Sequence, residues 1–191
     1  VVLRGDLEVL LVVATNSGLS AVEDSTGSVR WSFDLDATNV GPLIRLDEAH
    51  LLTVLDGSRL VCCRIDAQGA TRSWQQVLNG ESLIGHPQLA AGRIHLTTDR
   101  RLLVYDATGS RDPQRSIEAP GRWTCPAAVR QELVVSATAG AQDAAGDLLH
   151  VYRAGEMLWT RQLPGRVRRV AFSGPMVIVG LAGGRLLAFE P

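Results

Sequence analysis

Lysine is missing altogether: all 19 basic residues are arginine, set against 20 acidic ones for a formal net charge of −1. With no basic surplus to condense on phosphate, nucleic acid is not expected as a general partner. Arginine-only usage with abundant Ala, Gly and Val reads as the mark of a high-GC bacterial genome. No apolar run approaches the roughly 20 residues that cross a bilayer, so no transmembrane segment is expected. No charged segment followed by an apolar stretch and a cleavage site opens the chain, which begins at Val1 inside an apolar segment and reads as a piece of something longer. Cysteine is scarce, and its placement is uninformative for cross-linking: Cys62 and Cys63 are adjacent and Cys125 is distant. Neither a disulfide framework nor metal-ligand spacing follows, which favours a reducing compartment and hence the cytoplasm over the periplasm or exterior. No stretch has the 3.6-residue period over a length that makes a helix.

What the 191 residues do contain is apolar material, 46% of the total, enough for one or two packed domains. It is arranged as a repeat. Five β-branched segments recur at about 41 residues: Leu11-Val12-Val13-Ala14-Thr15, Leu51-Leu52-Thr53-Val54, Ile94-His95-Leu96-Thr97, Leu133-Val134-Val135-Ser136 and Val177-Ile178-Val179-Gly180. A turn rich in Gly, Asn or Asp follows each one, as at Asp56-Gly57, because those residues tolerate positive φ. A second strand comes next, for example Leu102-Leu103-Val104-Tyr105, then a second turn and an outer strand such as Val29-Arg30-Trp31-Ser32-Phe33. Gly41-Pro42-Leu43-Ile44, His86-Pro87-Gln88-Leu89 and Cys125-Pro126-Ala127-Ala128 fill the slot of an innermost strand, where a leading Pro forfeits no interior ladder bond.

Four short strands per unit predict an all-β architecture of four-stranded antiparallel blades. A sheet that small cannot cover both of its faces, and radial stacking on neighbours is the propeller solution. The expected blades are 1–39, 40–82, 83–121, 122–166 and a partial fifth at 167–191 that lacks its outer strand.

The stretch Ala21-Val22-Glu23-Asp24-Ser25-Thr26-Gly27-Ser28-Val29-Arg30-Trp31 resembles the tryptophan-docking motif of the pyrroloquinoline-quinone-like (quinoprotein-type) repeat family. Blade two keeps Gly69 and Trp74, blade four keeps Gly155 and Trp159, and blade three keeps Asp106-Ala107-Thr108-Gly109 without the Trp. The resemblance implies that Trp31, Trp74 and Trp159, with Gly27, Gly69, Gly109 and Gly155, dock one blade onto the next. It also implies a ring of seven or eight blades, of which this chain carries part; a smaller ring whose last strand comes from elsewhere is the alternative. The competing WD-repeat reading expects Trp-Asp at the end of each unit, and that dipeptide does not occur.

Candidate chemistry is thin. Quinone-cofactor dehydrogenases of the resembled family hold a vicinal disulfide against the cofactor, but Cys62-Cys63 falls inside a predicted strand, where successive side chains point to opposite faces. His50, His86, His95 and His150 are scattered, and neither Gly-x-Ser-x-Gly nor a Walker loop is present. No catalytic, cofactor-binding or metal-ligating set is therefore assigned. Three features remain as interaction candidates. Trp123 lies outside the docking slot. The turn from Thr138 to Asp147, with Gln142 and Asp143 at its centre, is longer than its equivalents. Arg161, Arg166, Arg168 and Arg169 concentrate positive charge that could meet an acidic partner or anionic lipid, or form a solvated edge.

The reading is a non-catalytic propeller scaffold for a protein partner or another domain of the same polypeptide. The resembled family serves in this way in outer-membrane assembly factors, insertion complexes and kinase sensor domains. The alternatives are a fragment of a quinone- and calcium-dependent dehydrogenase, and a propeller that senses a small molecule.

Overall fold

The computed structural model describes residues 2–4, 9–107, 112–140 and 146–191. The turn centre Gln142-Asp143 and the docking glycine Gly109 lie outside the described residues. Among the described residues there are strands and turns and no helix, so no helix is long and apolar enough to cross a membrane. The chain forms two compact units, one built on Val1–Gly80 and the other on Glu81–Asp106 with Asp112–Pro191.

The first unit contains two four-stranded antiparallel meanders. Sheet one is β1 (Val2–Arg4), β2 (Val9–Ala14), β3 (Gly18–Glu23) and β4 (Val29–Asp34); sheet two is β5 (Ile44–Arg45), β6 (His50–Leu55), β7 (Arg59–Ile65) and β8 (Ala70–Val77). Alternation along the strands sends one set of side chains from each sheet into a shared core of Leu10, Val12, Ala21, Leu51, Val61 and Cys63. The Asp56-Gly57 turn between β6 and β7 has φ of 50° and 70°, the pair of positive values a tight two-residue hairpin requires.

The second unit contains three meanders. Sheet three is β9 (Gln88–Ala90), β10 (Arg93–Thr97), β11 (Arg101–Asp106) and β12 (Arg115–Glu118); sheet four is β13 (Ala128–Arg130), β14 (Leu133–Thr138), β15 (Leu148–Arg153) and β16 (Glu156–Gln162). Sheet five has three strands, β17 (Val167–Ser173), β18 (Met176–Leu181) and β19 (Leu186–Phe189). Sheets three and four share Leu102, Trp123, Ala127, Val134 and Tyr152. Sheets four and five share Val135, Val151, Val170, Val177 and Val179.

The innermost strands are shorter than their sequence segments suggest. Continuous ladders begin after Pro42, Pro87 and Pro126, at Ile44, Gln88 and Ala128; before each proline the chain makes a single bridge, Val40 to Leu55, Leu83 to Thr98 and Trp123 to Thr138, and the proline, lacking an N–H, interrupts the ladder between the two.

One polar device recurs that hydrophobic patterning does not reveal. Asp56 Oδ1 accepts from Thr38 N (3.0 Å), Thr38 Oγ1 (2.9 Å) and Asn39 N (3.0 Å), tying the connector before sheet two to its central hairpin. Asp99 does the same for sheet three through Ser82 N at 3.1 Å. Asp147 Oδ2 accepts from Thr124 Oγ1 (3.0 Å) and from Val167 N (2.8 Å), which links sheet four to the start of sheet five. The Arg59 guanidinium, then the Thr38 hydroxyl, hold the Asp56 carboxyl down at about 2.

Candidate interaction surfaces

Strand register places Trp31, Trp74 and Trp159 in equivalent positions. In antiparallel sheets directly opposed residues lie on one face, so each sheet can be read as transverse rows. The row ending in tryptophan is Val12–Ala21–Trp31 in sheet one, Ile44–Leu52–Cys62–Trp74 in sheet two and Ala128–Val135–Val151–Trp159 in sheet four. A register shift sits beside each tryptophan's partner, between Ala21 and Val22, Cys62 and Cys63, and Val151 and Tyr152. The bulge tilts the outer strand and re-aims the large ring.

Within the first unit Trp31 packs, half-buried, on the core that sheets one and two share. Within the second, Trp159 packs on the core shared by sheets four and five, its ring centroid 6.4 Å from that of Phe189. Trp74 is half-buried opposite Cys62, and its indole N–H has no hydrogen-bond partner among the described residues. Gly27 and Gly69 lie in their second hairpin turns, Gly27 donating to Glu23 O at 2.8 Å and Gly69 to Asp66 Oδ1 at 3.0 Å. Gly155 has φ +88° and a stricter role: a Cβ there would come within 2.5 Å of the Arg115 guanidinium.

That contact identifies a residue the sequence reading missed. Register places Arg115 opposite Val104, the position tryptophan holds in the other complete sheets. Spacing hid it, because Trp31 and Trp159 each follow their glycine by four residues, whereas Arg115 is six beyond Gly109.

Trp123 is 1% exposed. It makes edge contacts with His150 (5.7 Å) and Tyr152 (6.3 Å) and bridges to Thr138. His150 is held between Thr138 Oγ1 (2.8 Å) and Thr160 Oγ1 (2.9 Å), and burial pushes its pKa down. Cys62 and Cys63 are separate buried thiols within β7, raised by burial to about 12 and about 11.

The arginine cluster divides. Arg168 and Arg169 are consecutive, so regular pleating would send them to opposite faces. A register shift between Val167 and Arg169 breaks the alternation, and both line one cleft of about 700 Å³ with His86, Gln88, Pro126 and Phe172. The cleft runs over the innermost strands of sheets three, four and five. Arg130 is fixed beside it, its guanidinium 4.6 Å from the Phe172 ring centre and donating to Gly174 O. Arg168 and Arg169 make no ion pair among the described residues. Arg166, whose carbonyl accepts from Ala182 N, and Arg161, stacked 5.0 Å over Phe189, do not line this cleft.

A second cleft of about 740 Å³ opens over the β10–β11 turn and includes Glu81, Asp99, Arg100, Arg101 and Arg122. Its buried Glu81 is already engaged by Arg101 Nε (2.8 Å) and Thr98 Oγ1 (2.7 Å), a brace within the sheet. Among the described residues no three or more His, Cys, Asp or Glu side chains are placed to hold a metal ion.

The sequence profile of the family described as outer membrane protein assembly factor BamB matches residues 4–124. No curated protein matches the sequence. Among solved structures, BamB from Moraxella catarrhalis superposes with a TM-score of 0.62 at 13% identity, over 100% of this chain and 63% of that one. Apo AztD from Citrobacter koseri gives 0.65 at 14% identity over 95% and 53%, and Hsv2 from Kluyvelomyces marxianus gives 0.66 at 11% over 96% and 56%. The chain thus spans less than two thirds of each of these proteins, and the common fold is the β-propeller, whose blades are the sheets described above.

Proposed function

Because the chain belongs to the BamB family of quinoprotein-type propellers, we propose that it is a binding scaffold whose inner-strand cleft holds an acidic segment of a partner protein or of another domain of its own polypeptide. The observation that carries the reading is the cleft of about 700 Å³ over three consecutive inner strands, with the exposed Arg168 and Arg169 both in its lining beside a bulge. Two guanidinium groups that make no ion pair among the described residues suit a carboxylate, which a guanidinium binds in a fork, and Phe172 and Pro126 add apolar lining. The family is named for an outer membrane protein assembly factor, which supports reading this chain as a docking body.

A photo-crosslinking residue replacing Arg169, introduced into the full protein in its own cell, tests this. The reading expects one discrete adduct from position 169, absent when the residue replaces exposed Arg30 and lost on Arg168→Glu. Equal, diffuse labelling from both positions would overturn it.

The quinone from which the repeat takes its name does not fit the adjacent cysteines, because they lie as separate thiols inside a strand and not as a bridged pair in a loop. Adding the quinone with calcium and following dye-linked alcohol oxidation checks the enzymatic alternative, and turnover would replace the scaffold reading.

A further inference from the structure

In sheet three the docking row reads Gln88–His95–Val104–Arg115. Each of the other complete sheets has an aliphatic residue where His95 stands and a tryptophan where Arg115 stands. Two coordinated polar replacements in one row leave the space between sheets three and four incompletely filled. A cavity of about 110 Å³ results, lined by Arg93, His95 and Arg115 from one sheet and by Gln131, Glu132 and Gly155 from the other. His95 is only 7% exposed, and both of its ring nitrogens are buried without a hydrogen-bond partner. Buried polar atoms are nearly always satisfied, so two orphans on one ring beside a polar cavity call for an occupant.

We propose that this cavity is a binding site for a small monocarboxylate anion of formate or acetate size. Charge sets the class. Arg93 and Arg115 make no ion pair among the described residues, and Glu132 supplies one negative charge, so a surplus of one positive charge faces the space. A monoanion cancels that surplus, whereas a dianion would leave charge uncompensated and cost more to desolvate. Size sets the upper limit: at about 30 Å³ per water the space equals three to four waters, enough for the four heavy atoms of acetate and too little for a sugar or nucleotide. The donors suit a carboxylate, since a guanidinium presents a planar fork of N–H groups. Arg115 passes close to Gly155, in the space a Cβ there would take. His95, which burial and then the nearby Arg93 charge push down to about 4, is neutral at pH 7 and offers one N–H donor. Water could satisfy the imidazole but would leave the charge surplus unanswered.

Histidine side-chain NMR on the full chain decides the matter. Sodium acetate is titrated at pH 7 against matched sodium chloride, with the His95 signals assigned by their loss in His95→Val. A saturable shift of the His95 ring nitrogens is expected, complete by about 50 mM acetate. In Arg115→Trp, which restores the residue of the other sheets and fills the cavity, acetate affinity should fall at least about tenfold while the thermal transition is kept. Should that variant not fold, Arg115→Gln, which removes the charge with little change of volume, must show the same loss. A His95 signal unmoved by acetate would mean water only and would overturn the proposal. So would an undiminished shift in either variant, or sulfate binding more tightly than acetate.

Discussion

Blades three and four meet their next neighbours through the same geometric slot with opposite chemistry. Blade four presents Trp159, which spreads over an apolar row and reaches Phe189, and the contact belongs to a continuous core. Blade three presents Arg115, which lies across Gly155 and shares its slot with an unsatisfied His95 and a cavity. The slot demands a long, flat side chain and not an apolar one. Indole and guanidinium both meet the geometric demand, but only indole fills the volume and closes it to water.

The largest loss is expected at the apolar slot of blade four. Trp159→Ala should lower stability by about 2–3 kcal/mol, below the full cost of a core tryptophan because the ring is half-buried, as read from the shift in denaturation midpoint followed by circular dichroism. At the polar end the signature is pH dependence. His95 sits at about 4 in the folded chain against 6.5 when exposed, so the unfolded state binds the extra proton between those values. Stability from this group is therefore complete above about pH 6.5 and is lost as pH falls toward 4. His95→Val should remove on the order of 2 kcal/mol of that acid sensitivity, measured as the difference between unfolding free energies at pH 7 and pH 4 for the two proteins. Arg115→Trp should make blade three resemble blade four and raise stability by about 1 kcal/mol, visible as a higher melting temperature. The smallest effect concerns blade two, whose row contains Cys62: with its thiol at about 12, the native protein should resist alkylation at pH 8 over hours and react once unfolded.

Much of the fold was legible in the chain order. The apolar segments around Leu51, Ile94 and Val177, together with turn pairs such as Asp56-Gly57, report strands and hairpins through local preferences that neighbours barely alter. The equivalence of the tryptophans at 31 and 159 was legible because both follow a glycine at the same interval. The polar slot was not, because the added residues after Gly109 moved Arg115 out of step with the repeat. The aspartate braces were read only as turn formers, since a carboxylate's partners 17 to 23 residues away leave no periodic mark.

The repeat, the strand content and the hairpins follow from chain order, since each depends on residues close together along the chain. Tertiary structure alone decided which residues stand opposite one another: that Trp123 lies inside, that Arg115 takes a tryptophan's position, and that Arg168 and Arg169 share a cleft. The reason is that facing is set by strand register. A bulge of a single residue, as beside Arg169, reverses which side of a sheet a side chain occupies without changing the local pattern that marks it as a strand.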